Sequence, residues 1–140
     1  MRWITYLGDA WVTVGVGVVL AVLGSPRLGG EILVAVTLSH VGVQVLKRAV
    51  ARPRPCDAMG RPLALIDLPD PFSFPSGHAT AAMAVSATLS LHQPLLAPAL
   101  LPLAGLVAAS RVRLRVHHLS DVVAGAALGL AGALVATTLL

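Results

Sequence analysis

A chain of 140 residues that is 56% apolar and 11% charged, with a mean hydropathy of +0.85, carries too little polar material to cover an aqueous domain of its size. A single cysteine, Cys56, excludes an internal disulfide and a thiolate zinc site. The net charge of +4, without aromatic or basic stripes suited to bases, points to anionic lipid or phosphate rather than nucleic acid as partner.

The expected fold is an all-α helical bundle embedded in a membrane, one domain over residues 1–140, with about five transmembrane helices. The first apolar segment, Trp3 to Gly24, follows Arg2 and is interrupted by Asp9. No small-residue cleavage site follows it, so it reads as an anchor rather than a signal peptide. The second, Ile32 to Val50, runs into the basic stretch "KRAVARPRP", Lys47 to Pro55, where Pro53 and Pro55 stop the helix. The third, Gly77 to Leu91, has Ser76 placed as its N-cap, and the fourth covers Leu95 to Ser110. The fifth, Val122 to Leu140, contains Gly125, Gly129 and Gly132, a composition suited to close helix packing in lipid. A bilayer core takes about 20 helical residues, so the third and fourth need neighbouring loop residues to complete their spans.

Polar residues concentrate in Lys47 to Ser76 and Ser110 to Asp121, whereas the remaining links, "SPRLGG" and "HQP", are short. Threading five spans puts both polar stretches on one face of the bilayer, where distant residues meet at one end of the bundle. Lys47 and Arg54 bring positive charge to that end. Ser76 and Gly77 open a helix whose free N–H groups and positive dipole end suit an anion, and His78 falls in its first turn. His117 and Asp121 are four apart, so on a helix the carboxylate can hold one imidazole nitrogen as N–H and leave the other nucleophilic. Arg111 adds a bidentate donor suited to phosphate. Arg48, Arg52, Arg113 and Arg115 read as contacts to lipid headgroups, and His40 and His92 as packed or interfacial histidines. A zinc site from His78, His117, His118 and Asp121 is opposed by three nearby cations.

Taken in order, K-x6-R-P at Lys47, Arg54 and Pro55, P-S-G-H at Pro75 to His78, and S-R-x5-H-x3-D at Ser110, Arg111, His117 and Asp121 match at all eleven fixed positions. Together they resemble the three-part signature of the type 2 phosphatidic acid phosphatase superfamily, which includes membrane lipid phosphatases, bacterial acid phosphatases and vanadium haloperoxidases. The resemblance implies a metal- and cofactor-independent phosphatase acting on a polyprenyl or glycerolipid phosphate or diphosphate. In it His117 attacks phosphorus and forms a phosphohistidine, Asp121 orients it, and His78 protonates the leaving oxygen. Lys47, Arg54, Ser76, Gly77 and Arg111 hold the phosphate. Membrane members typically have six spans, which raises the prospect of a second copy completing the bundle. Two rival readings are a non-catalytic or transporter-like relative, against which the intact motif set argues, and a haloperoxidase, whose relatives are soluble and much larger.

Nine of the ten Lys and Arg fall on the active-site face, with only Arg27 opposite, so the positive-inside rule turns that face to the cytoplasm. Many bacterial relatives instead act at the outer face.

Overall fold

The computed structural model describes residues 2–66, 68 and 70–140; the side chain of Arg2, counted above among the cations of the active-site face, lies outside the described residues. Among the described residues six α-helices follow one another: α1 Arg2–Thr5, α2 Ala10–Val22, α3 Pro26–Val50, α4 Gly77–His92, α5 Ala97–Arg113 and α6 Leu119–Leu139. Short 3-10 turns at Tyr6–Gly8 and Pro94–Leu96 lead into α2 and α5. Among the described residues there is no strand, only isolated antiparallel bridges pairing Pro53 with Phe72 and Cys56 with Pro62, which fold the long polar loop back on itself.

Among the described residues three helical stretches are long and apolar enough to cross a membrane: Pro26–Val50, Pro94–Arg113 and Leu119–Leu139. Helix α4 has 16 residues, about 24 Å at 1.5 Å per residue and short of a bilayer core of about 30 Å. Large apolar side chains such as Trp11, Val22, Val45, Leu95, Val123 and Leu139 face outward, a surface that hydrocarbon solvates and water does not.

Two sequence expectations change. The segment from Trp3 to Gly24 is broken at Asp9, whose extended backbone (φ −69, ψ 144) separates the 3-10 turn from α2. A Cβ on Gly8 would lie 2.8 Å from the His78 carbonyl oxygen, so this turn rests directly on the start of α4. The "SPRLGG" link is also largely helical, because Pro26 occupies the first turn of α3, where its missing N–H costs nothing, and Arg27 pairs with Glu31 at 2.9 Å one turn on.

Helix α4 packs against α3, α5 and α6, α2 lies on α3, and α3 meets α6. Small residues make this possible. Ala79, Thr80, Ala82, Ala84, Ala87 and Thr88 of α4 are buried, and a Cβ on Gly129 would come within 2.2 Å of the Thr80 carbonyl oxygen. A Cβ on Gly125 would come within 2.5 Å of the Ser76 carbonyl, and one on Gly132 within 2.1 Å of Ser39 Oγ on α3. The glycines of α6 are therefore contact surfaces, two toward α4 and one toward α3. At the end remote from the polar loops, the fully buried Glu31 pairs with both Arg27 and His92, joining the start of α3 to the end of α4. His92 is thus an ion-pair partner rather than a free interfacial side chain.

Candidate active site

Helix ends bring the three sequence groups together. Helix α3 stops as Ala51 turns into the left-handed region (φ 47) with its N–H on the Lys47 carbonyl, which sends the chain back across the bundle toward Arg54. Ser76 caps α4, accepting a long 3.5 Å hydrogen bond from Ala79 N, and its own N–H donates to the Asp121 carbonyl at 2.9 Å. The starts of α4 and α6 are therefore fastened to each other. His118 caps α6 through a reciprocal arrangement with Asp121, whose Oδ2 accepts from His118 N at 2.7 Å.

These ends enclose a cavity of about 330 Å³ whose wall includes Lys47, Arg54, Gly77, His78, Arg111 and His117. Ser76 and Asp121 do not line it. Both are fully buried behind the wall, so Ser76 shapes the cavity through the start of α4 instead of reaching into it. At Gly77 the nearest atom to an added Cβ is a Val43 methyl at 3.9 Å, which leaves the helix N-terminus open to the cavity.

His117 is buried, and its Nδ1 lies 2.6 Å from the Ser73 carbonyl oxygen. A carbonyl only accepts, so Nδ1 carries the proton and Nε2 keeps its lone pair. Asp121 Oδ2 stands 3.7 Å from that Nδ1, too far for a hydrogen bond. The expectation that Asp121 itself holds the N–H is therefore corrected: the backbone of Ser73 does, and Asp121 contributes charge. Burial, with Arg54 and Arg111 nearby, pushes the His117 pKa down to about 3 against the opposing pull of Ser73 and Asp121, so the ring is neutral at pH 7.

The cations are arranged around acids that the sequence reading did not assign to the site. Asp70 accepts from Lys47 Nζ at 2.7 Å and from Arg54 Nη2 at 3.2 Å, while Arg54 also donates to the Asp70 and Val116 carbonyls. Burial alone would raise the Asp70 pKa, but Lys47 and Arg54 outweigh it and hold the carboxyl below its usual range. Asp9, presented by the break before α2, lies 2.7 Å from His78 Nε2. Arg111 donates to Thr5 Oγ1 at 2.7 Å, and its Nε is buried without a hydrogen-bond partner among the described residues. Arg52, read as a headgroup contact, instead bonds Asp121 Oδ1 at 2.9 Å and Ser120 Oγ at 2.6 Å. The one sequence signal for these residues was Asp9 itself, a lone acid in an apolar run. Among the described residues no group of three or more His, Cys, Asp or Glu could hold a metal ion.

Residues 28–140, which carry all three motif groups, match the family model of the PAP2 superfamily. The chain belongs to the PAP2 superfamily. Among its PAP2 relatives, decaprenylphosphoryl-5-phosphoribose phosphatase of Mycobacterium tuberculosis (strain ATCC 25618 / H37Rv) is 37% identical over 118 residues, covering 79% of this chain and 64% of that protein. The chain thus spans somewhat less than two thirds of that relative's length. The phosphatase of the same name from Mycolicibacterium smegmatis is 33% identical over 129 residues, covering 89% of this chain and 68% of the relative. The crystal structure of Aquifex aeolicus LpxE superposes with a TM-score of 0.82 at 26% identity, over 98% of this chain and 82% of the other. That of a transmembrane PAP2-type phosphatidylglycerolphosphate phosphatase from Bacillus subtilis gives 0.80 at 28%, over 99% and 73%. This PAP2 chain is therefore an all-α membrane bundle like its neighbours.

Proposed function

We propose that this protein is a multi-pass membrane phosphatase that hydrolyses the phosphate of a lipid through a phosphohistidine on His117. The observation that carries the reading is the state of His117: neutral, its proton fixed toward Ser73, with its free nitrogen in a cavity shared by three cations. The names of the relatives, all lipid phosphatases, agree with it.

Phosphoryl transfer asks a protein mainly for in-line positioning and for neutralising charge on the phosphate oxygens. Lys47, Arg54 and Arg111 supply the charge, and the N-terminus of α4 at Gly77 supplies N–H donors. The Arg111 Nε that lacks a partner gains one when phosphate enters. His117 Nε2 forms the bond to phosphorus as the ester P–O bond breaks, and the leaving oxygen takes its proton from His78. Water then attacks the phosphohistidine, passes its proton to the now neutral His78, and inorganic phosphate leaves. Burial and the nearby Arg111 disfavour the charged form of His78 more than Asp9 beside it favours that form, so the proton donor also relies on the negative charge that the bound phosphate brings to the cations.

The test is phosphate release from lipid phosphates in detergent with chelator present, together with trapping of an acid-labile, base-stable phosphoryl label. Replacing His117 by Ala should lower kcat by about 10³-fold or more and abolish the label. Turnover near the wild-type rate in that variant would remove the proposed nucleophile.

The excess of Lys and Arg beside the site favours its facing the cytoplasm. Cys56 is exposed in the loop above the cavity. An impermeant maleimide should leave it unlabelled in intact cells and label it in inverted vesicles, and the reverse result would turn the topology over.

A further inference from the structure

Asp9 stands at the N-cap of α2, where an aspartate side chain ordinarily accepts a hydrogen bond from the first turn of its own helix. Here it makes no such bond. The backbone holds the helix start instead, with the Asp9 N–H on the Tyr6 carbonyl at 3.0 Å and the Thr13 N–H and Oγ1 on the Asp9 carbonyl at 3.0 and 3.1 Å. The carboxylate goes to His78, its Oδ1 lying 2.7 Å from Nε2. A Cβ on Gly8 would lie 2.8 Å from the His78 carbonyl oxygen and 3.0 Å from its Cβ, so the turn before Asp9 is seated on the histidine it serves.

An ionised carboxylate only accepts, so this contact holds Nε2 as N–H in both the charged and the neutral ring. Nδ1 makes no hydrogen bond among the described residues, and the ring lines the cavity beside Lys47, Arg54, Arg111 and His117. His78 is thus the mirror of His117, whose Nδ1 is held and whose Nε2 is free.

We propose that Asp9 is a positioning residue for His78: it holds Nε2 as N–H, so that Nδ1 alone gives the leaving oxygen its proton and later takes one back from water. This rests on the phosphatase reading above and adds to it a residue that precedes the three motif groups and the residues matched by the family model. In the first half-reaction the Nδ1–H bond breaks as the O–H bond of the departing alcohol forms, and the ring becomes neutral with its proton on Nε2. In the second, water gives a proton to the lone pair on the same Nδ1 as its oxygen bonds to phosphorus, and the bond from phosphorus to His117 breaks. Without Asp9 the neutral ring is free to keep its proton on Nδ1, which leaves no lone pair toward the water. Asp9 also supplies charge. Burial, Arg111 of α5 and Lys47 of α3 all disfavour the imidazolium, His117 before α6 is neutral, and Asp9 is the acid that favours it.

The experiment compares dodecyl phosphate, whose alkoxide needs a proton to leave, with 4-nitrophenyl phosphate, whose phenolate does not. The readout is the alkyl-to-aryl ratio of kcat/KM in detergent with chelator, which covers the steps only as far as loss of the alcohol. Asp9→Ala, confirmed monodisperse by size exclusion, should lower that ratio roughly 30-fold and move the alkaline limb of the alkyl pH profile to lower pH. Asp9→Asn keeps the size and an acceptor for Nε2–H, and should lower the ratio only about fivefold. In a His78→Ala background, Asp9→Ala should change the ratio no further, because the two side chains act as one unit. A ratio that both Asp9 variants leave unchanged, or a further fall in the His78→Ala background, overturns the assignment while the phosphatase reading stands. Release of phosphate from neither substrate by the unaltered protein overturns the phosphatase reading and this inference with it.

Discussion

Replacing Asp121 by Asn probes how the nucleophile is supported. Its Oδ2 lies 3.7 Å from His117 Nδ1, while the Nδ1–H bonds the Ser73 carbonyl, so the carboxylate acts on the ring through charge alone. As Nε2 bonds to phosphorus the imidazole turns cationic. Two unit charges about 4 Å apart interact by about 4 kcal/mol at an effective dielectric of 20, and with roughly half the charge developed in the transition state about 2 kcal/mol remains. Losing that interaction lowers kcat about 30-fold. A carboxylate that itself held the N–H would matter far more, since breaking such a triad costs about 10⁴-fold. The assay is initial-rate phosphate release at saturating lipid phosphate, with thermal unfolding in parallel because Arg52 and the His118 N–H also lose a charged partner. A 10⁴-fold fall in a folded variant would refute the division of labour between Ser73 and Asp121. A change below about threefold would refute any role for the charge.

Three further expectations follow from the same geometry. Gly129→Ala would drive a methyl to within 2.2 Å of the Thr80 carbonyl oxygen, and it should destabilise the bundle by about 3 kcal/mol or more. Gly15→Ala, with nothing within 4 Å of the new Cβ, should be neutral or stabilising by up to about 1 kcal/mol; thermal unfolding in detergent compares the two. Because the folded His117 pKa lies below that of the unfolded chain, the unfolded state gains a proton on acidification that the native state refuses. Stability should therefore fall between pH 6.5 and 5 by up to about 2 kcal/mol, and the fall should be smaller in His117→Asn. Asp70 competes with phosphate for Lys47 and Arg54, so Asp70→Asn should lower the inhibition constant for inorganic phosphate roughly tenfold. Weaker phosphate inhibition in that variant would show that Asp70 positions the cations instead.

The parts of the site that could be read from sequence are those whose chemistry is local. Ser76 before an apolar run is an N-cap wherever it sits, and Asp121 in the first turn of α6 stays near His117 four positions earlier, although His117 precedes the helix instead of sharing a turn with it. The apolar segments likewise announced the helices, with α3 longer than expected because Pro26 and the Arg27–Glu31 pair favour a helix across a stretch that looks like a link. What escaped depends on contacts across the fold. Ser73 acts through its backbone carbonyl, which no side-chain pattern reveals, and Thr5 meets Arg111 from 106 positions away. Asp70 sits in a polar loop without periodicity, and only the fold places it between Lys47 and Arg54. Arg52 was read as a headgroup contact for a related reason: only the fold shows that the loop returns it to the start of α6, where it pairs with the buried Asp121 carboxylate.

The bond from Ser76 N to the Asp121 carbonyl, with Gly125 seated on the Ser76 carbonyl, has a bearing on biogenesis. The helix that opens the phosphate cradle is made early, and the one that follows the nucleophile comes after it in the chain. Until α6 has been inserted and has slid into its glycine contacts with α4, Ser73 has no imidazole to hold and Gly77 faces an incomplete cavity. On the proposed mechanism a half-inserted chain is thus unable to act on the lipids around it, and phosphate release would be a direct report of completed membrane assembly.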